Sequence, residues 1–182
     1  HSNPHRMATF VDNHDVDRVA SLIRDPAGLY PLYALLFSMP GCPSVYYGSE
    51  YGVTGRKAAT DDGPLRPALD PAALASAAPH PDLAAAVVRF SEARRRSSAL
   101  RRGSYRRLAV GNLHLAFERR AGDEAVLVAV NASQEPVRLE LPAGLPDGPV
   151  VDLLDGGYHE ESRGGRLATV VPPHWARWLR KE

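Results

Sequence analysis

The hydrophobic pattern of this chain changes period once, at Gly103, and that change limits what the chain can fold into. Before Gly103 the apolar residues recur at helical spacing between short β-prone runs. After it they fall into short alternating stretches separated by Gly, Asn, Asp or Pro. A helical period cannot serve a strand, nor the reverse, so two architectures are expected, with the boundary at residues 100–103. The first part is residues 1–102 and the second residues 103–182.

Residues 7–11 form a short apolar segment that leads into Asp12, Asn13, His14 and Asp15. Val16, Val19, Ala20 and Ile23 allow a short helix after it. Asp25-Pro26 reads as a helix start, with Pro near the first turn, where its missing N–H costs nothing. Residues 29–39 are apolar almost all round, which marks a buried helix, and Pro40-Gly41 ends it. A β-prone run, Ser44 to Tyr47, follows. Residues 52–81 read as a long irregular loop, of the kind that is functional or mobile inside a compact domain. Residues 82–96 form an amphipathic helix. Seven strands are expected beyond it, at 105–110, 113–118, 125–131, 137–141, 150–154, 167–171 and 176–179, which make an antiparallel β-sandwich.

Composition removes several classes of function. Lys plus Arg is 22 against 21 for Asp plus Glu, so neither nucleic acid nor an acidic membrane surface is an expected partner. The arginines at 94–96, 101, 102, 106 and 107 are read as a solvated helix end and loop. Cys42 is the single cysteine, which excludes an internal disulfide and a cysteine zinc cluster; its apolar neighbours suggest a buried thiol. The histidines show no ligand spacing, so no metal and no cofactor is expected. No run of about twenty apolar residues is present to span a membrane. The first residues show no initiator Met and no signal-peptide pattern, which suggests a piece of something longer; a cytoplasmic location is favoured. Asn131-Ala132-Ser133 fits a glycosylation sequon but reads better as a strand-end turn. His174, Trp175 and Trp178 read as packing rather than sugar stacking.

The segment Phe10-Val11-Asp12-Asn13-His14-Asp15 ends an apolar strand in polar residues, which in a parallel α/β sheet point into the ligand crevice. Read from pattern alone, Asp15 suits a helix N-cap better than a site carboxylate. The segment resembles the motif that closes the seventh barrel strand in the α-amylase family of glycoside hydrolases. Two further segments resemble that family in order. Pro40-Gly41-Cys42-Pro43-Ser44-Val45-Tyr46-Tyr47-Gly48-Ser49-Glu50 is similar to the segment carrying its eighth strand. Asp62-Gly63-Pro64-Leu65-Arg66-Pro67 is similar to its substrate-binding loop. The run from His14 to Ser21, with Gly55-Arg56-Lys57, looks most like the cyclomaltodextrinase or neopullulanase branch.

The resemblance implies a fold class: the C-terminal part of a (β/α)8 barrel, with its last two strands, followed by an antiparallel β-sandwich. It also implies retaining hydrolysis of α-1,4-glucans such as maltodextrin, cyclodextrin or starch. Asp15 matches the carboxylate that grips the 2- and 3-hydroxyls of the sugar being cleaved. His14 matches the histidine that donates to the same sugar, and Asp62 and Arg66 match a pair holding the next sugars; the plain alternative for that pair is a surface salt bridge. The family's nucleophile and general acid have no match here, and Glu50 suits a structural role. The chain alone is therefore expected to be inactive and to associate, either with the upstream part of a parent enzyme or as a homo-oligomer, while the sandwich folds alone. A glucanotransferase of the same family and a non-catalytic carbohydrate-binding module are the competing readings.

Overall fold

The computed structural model describes residues 3–78 and 81–182. The first part contains β1 (Ala8–Thr9), α1 (Leu29–Ser38), β2 (Cys42–Pro43), α2 (Pro71–Ala77), α3 (Leu83–Arg96) and α4 (Ser98–Arg102). Strands β1 and β2 pair in parallel, Ala8 with Cys42 and Thr9 with Pro43, and α1 is the crossover between them. Parallel strands require such a crossover because a tight turn cannot reverse the chain back to the same direction. Asp25 accepts a hydrogen bond from the Ala27 N–H and Pro26 opens the turn that becomes α1. That helix buries Leu29, Tyr30, Tyr33, Ala34, Leu36 and Phe37, as its all-round apolarity requires.

The second part has eight strands: β3 (Ser104–Gly111), β4 (His114–Ala121), β5 (Glu124–Asn131), β6 (Val137–Pro142), β7 (Gly148–Asp152), β8 (His159–Ser162), β9 (Arg166–Val171) and β10 (Trp175–Lys181). Six form one antiparallel sheet in the order β3-β4-β5-β10-β7-β8, and β6 pairs with β9 across it. Alternation places Ala125, Leu127 and Ala129 of β5 against the covering pair, where they meet Leu139, Leu141, Leu167 and Val171. Val126, Val128 and Val130 point the other way, into a cluster with Tyr33, Phe37, Phe90 and Trp178. The six-stranded sheet is thus covered on both faces, by strands on one and by α1, α3 and α4 on the other. The second face of the sandwich is therefore the wall of the helical core.

Several local expectations change for identifiable reasons. The helix proposed after Val16 is a single 3-10 turn, Val19–Ser21. The second parallel strand sits at Cys42–Pro43 rather than at Ser44 to Tyr47, because Cys42 N and Ser44 N donate to Met7 O and Thr9 O. Cys42 is exposed rather than buried. The long loop contains α2, with Asp70 as its cap and Pro71 at its first position. Strand β8 went unseen in the sequence because His159, Glu160 and Glu161 carry no apolar alternation. Asn131 is buried and donates to Glu135 O, Val171 O and Pro172 O, so it serves a turn and not a glycan. Trp178 is fully buried and Trp175 packs on Tyr30 and Phe90.

The arginine run also departs from expectation. Arg94 is buried and donates to Phe37 O at 2.9 Å, Met39 O at 3.0 Å and Gly41 O. Arg119, from β4, is fully buried and donates to Ser38 O, to Gly103 O at 3.0 Å and to Ser104 O at 3.1 Å. The last carbonyls of a helix have no partner within it and carry the negative end of its dipole, so two guanidinium groups satisfy and neutralise them together. Burial, and then the charge of Arg94, pull the Arg119 pKa down to about 10, which still leaves it charged at neutral pH. Replacing Arg119 by Met should leave three carbonyls without donors. It should cost about 3 kcal/mol, read as a lowered denaturation midpoint, whereas the exposed Arg107→Met should change little.

Glu118 lies buried in β4 between Arg106 and Arg120, each with Nη2 at 3.1 Å from Oε2. Burial alone would raise its pKa, but hydrogen bonds from Arg120 and Arg106 prevail and hold it below the ordinary carboxylate range. A depressed folded value contributes stability that is present above the unfolded pKa and is lost as pH falls through the folded one. Thermal midpoints should therefore fall on acidification below about pH 4.5, the reference value for this group. Glu118→Gln should lower the midpoint at neutral pH and make that acid decline shallower.

Candidate active site

The site is built on a buried ionic base with an exposed charged rim. Beyond β1 the chain turns, and Asp12 points inward with 1% of its surface exposed. Its carboxylate accepts from the Val19 N–H at 3.0 Å, and Ser49 Oγ lies 2.9 and 2.8 Å from its two oxygens, donating to one at a time. Arg18, fully buried, donates from Nη1 to Ser49 Oγ at 3.1 Å and Tyr47 O at 2.8 Å, and from Nε to Leu65 O at 3.1 Å. Its guanidinium also stacks 4.2 Å from the Tyr46 ring centroid. A buried carboxylate and a buried cation are thus bridged by one hydroxyl, an arrangement that fixes the strand ends of β1 and β2 relative to each other. Glycine is required at two places here. Gly48 has φ +83°, and a Cβ there would meet Leu69 at 2.5 Å; a Cβ on Gly55 would meet Pro64 O at 2.1 Å.

On the rim, Asp15 accepts from Arg66 Nη2 at 3.3 Å on one oxygen and lies 3.2 Å from His14 Nε2 on the other. Arg66 Nη2 also reaches Asp62 at 3.1 Å, and its Nε donates to His14 O at 3.3 Å. The four residues singled out in the sequence, His14, Asp15, Asp62 and Arg66, therefore form one contiguous cluster drawn from two segments about fifty positions apart. The helix-cap alternative for Asp15 does not hold. Asp12 takes the backbone donor of the following turn, and Asn13 Oδ1 accepts from Asp15 N at 2.8 Å. The rim is wet: the side chains of His14, Asp15, Arg66 and Asp62 are 56%, 61%, 44% and 48% exposed. A cleft of about 460 Å³ opens beside it, lined by Tyr47, Glu50, Tyr51, Arg66, Leu69 and Leu74.

Asp12, Arg18, Ser49 and Tyr46 were not singled out as site residues. All four stand inside the quoted segments, Arg18 just before the turn Val19–Ser21. The burial of Asp12, Arg18 and Ser49, and the stacking of Arg18 on Tyr46, show that they carry the rim. Among the described residues no group of three or more His, Cys, Asp or Glu could hold a metal ion.

Comparison with known proteins bears on this arrangement. Residues 2–88 match the family described as alpha amylase, catalytic domain, and residues 105–178 match maltogenic amylase, C-terminal domain. The chain belongs to the α-amylase family. Within that family it is 27% identical over 170 residues to a cyclomaltodextrin glucanotransferase of Bacillus licheniformis, covering 91% of this chain and 22% of the relative. It is 29% identical over 167 residues to the enzyme of the same name from Geobacillus stearothermophilus, covering 88% of this chain and 22% of that one. The crystal structure of an α-amylase from Geobacillus thermoleovorans, solved in complex with acarbose, superposes with a TM-score of 0.84 at 23% identity, over 98% of this chain and 40% of that one. The chain thus spans about a fifth of the length of these glucanotransferase relatives. The fold is the C-terminal part of the α-amylase barrel followed by the antiparallel sandwich.

The buried base gives this site a test of its own. Arg18→Lys keeps the charge but donates from a single nitrogen, so it cannot reach Leu65 O and Tyr47 O from separate nitrogens or stack as a plane on Tyr46. It should lower stability by about 2 kcal/mol in chemical denaturation, since it strands buried acceptors, while Arg56→Lys on the exposed rim should be near neutral.

Proposed function

We propose that this chain supplies the last two strand ends of the catalytic barrel, and the C-terminal sandwich, of an enzyme that cleaves α-1,4-glucans with retention of configuration. Residues 1–102 are the barrel part and residues 103–182 the sandwich. The observation that supports this reading is the convergence of Asp15, His14, Arg66 and Asp62 at the C-terminal end of β1. A retaining enzyme forms a covalent glycosyl intermediate when a carboxylate attacks the anomeric carbon and a carboxylic acid gives its proton to the leaving oxygen. Neither group is assigned to this chain. Asp15 acts on the sugar itself: its carboxylate accepts from the 2- and 3-hydroxyls, and those bonds strengthen as positive charge develops on the ring. His14 donates to the same sugar, and Arg66 with Asp62 holds the next one.

The second reading differs only in the acceptor that resolves the intermediate. In a glucanotransferase a sugar hydroxyl replaces water. The relatives named cyclomaltodextrin glucanotransferase favour that version. No residue of these 182 separates the two, and the non-catalytic binding module has no use for a strand-end carboxylate clamped by Arg66.

The test is one variant measured twice, in a polypeptide carrying this segment together with a whole catalytic barrel. Asp15→Asn retains size and one acceptor but loses the charge. Turnover on maltodextrin should fall about a hundredfold or more with the thermal midpoint nearly unchanged. Unchanged turnover would reject the role, as would reducing-sugar release by the 182-residue chain alone.

A further inference from the structure

The loop that carries Arg66 begins with a second cation whose position is as closely determined. Arg18 N donates to Gly55 O at 2.9 Å, and Gly55 N donates to Ser21 Oγ at 2.8 Å. Arg56 Nη2 donates to Ser21 O at 2.7 Å and Lys57 N to Asp17 Oδ1 at 2.7 Å. The backbone leading into Lys57 is therefore pinned to the turn that follows Asp15. From that anchored position the Lys57 ammonium donates to Asp15 O at 3.1 Å. Arg56 pairs with Asp17, and Arg66 with Asp15 and Asp62, but Lys57 has no carboxylate partner among the described residues. Two of its three N–H bonds are left facing solvent on the same rim as the Asp15 carboxylate.

The chemistry of the surroundings defines what those N–H bonds suit. Asp17 pairs with Arg56, and Asp15 and Asp62 pair with Arg66, so with Lys57 the rim balances three carboxylates against three cations and has no surplus of positive charge to attract a phosphate or carboxylate. A compact ammonium with free donors, set among carboxylates that accept, matches a neutral ligand dense in hydroxyls, which both donate and accept. We infer that Lys57 is a substrate-binding residue of this site, donating to hydroxyls of a glucose unit adjoining the one gripped by Asp15 and so selecting for longer glucans. The inference rests on the reading of the site as a glucan-cleaving centre.

The experiment uses the same full-barrel polypeptide and two substrates, maltotriose and maltoheptaose. Lys57→Met keeps the aliphatic stem and removes the donors. KM for maltoheptaose should rise about tenfold, the loss of charge-assisted hydrogen bonding to substrate, with a smaller rise for maltotriose and with kcat and the thermal midpoint unchanged. Lys57→Arg should retain most of the wild-type KM. An unchanged KM for both substrates overturns the inference and leaves Lys57 a solvated side chain. A joint fall of kcat and thermal midpoint overturns it in favour of a loop latch. Turnover that collapses in Asp15→Asn while Lys57→Met is silent rejects this inference alone; turnover indifferent to Asp15→Asn rejects the underlying site.

Discussion

The end of α1 is the point on which the rest of the structure depends. Its last carbonyls are buried, where unpaired acceptors would be costly, and the donors come from outside the helix. Arg94 reaches them from α3 and Arg119 from β4. Burial lowers the pKa of both guanidinium groups, and the charge of Arg94 lowers that of Arg119 further. One consequence is covalent: β2 starts three residues beyond Met39, so fixing the helix end fixes the strand, its register with β1, and the position of Tyr46 to Glu50. The other is architectural, because Arg119 belongs to the sandwich and Ser38 to the barrel part. Glu124 strengthens the same junction from β5, accepting from Ser98 N at 2.8 Å and Ala99 N at 3.2 Å at the start of α4.

Position then passes from the helix to the site through buried polar groups rather than through packing alone. Asp12 and Ser49 come from the two strand ends, and their contact closes only if β1 and β2 are in register. Arg18 ties the same pair to Leu65, at the base of the loop that carries Arg66. A charged residue is seldom found with no exposure unless every direction of its geometry is answered. Here Tyr47 O and Ser49 Oγ answer Nη1, Leu65 O answers Nε and the rings of Tyr46 and Tyr47 lie against the guanidinium, while Nη2 is buried with no hydrogen-bond partner among the described residues. The rim residues, by contrast, can afford exposure because their backbone is already held.

What could be read from the sequence follows the same division. The resemblance of two segments to α-amylase-family motifs implies that His14, Asp15, Asp62 and Arg66 share one site, and their side chains are in contact in the fold. The helix at Leu29–Ser38 and the change of period at Gly103 were legible because each sums many apolar positions. The short elements were not. Two-residue strands at Ala8–Thr9 and Cys42–Pro43 have no periodicity to show, and β8 is polar along its length. Arg94 looked like its solvated neighbours Arg95 and Arg96, because the pattern within a helix cannot say which carbonyls of another helix lie opposite. The double-sided burial of β5 is written in its continuous apolar run, Ala125 to Val130, but such a run does not say what covers each face.

The exposure of the rim carries a last physical implication for how such a site can work. Opposite charges about 3 Å apart in water attract by only about 1 kcal/mol, and salt screens them further. The Asp15–Arg66 pair, with both side chains about half exposed, is in that regime. In the proposed reaction the same carboxylate must favour a transition state over a ground state by several times that amount, which requires the low effective dielectric of a covered site. Cover must come from three directions: the bound glucan, the cleft wall of Tyr47, Tyr51 and Leu69, and the barrel strands that would flank β1 and β2. Glu50 points to the last of these, because one of its carboxylate oxygens is buried beside the cleft with no partner among the described residues. A buried carboxylate oxygen left unpaired is costly, which fits the proposed reading, in which further barrel strands cover that face and exclude water from the rim.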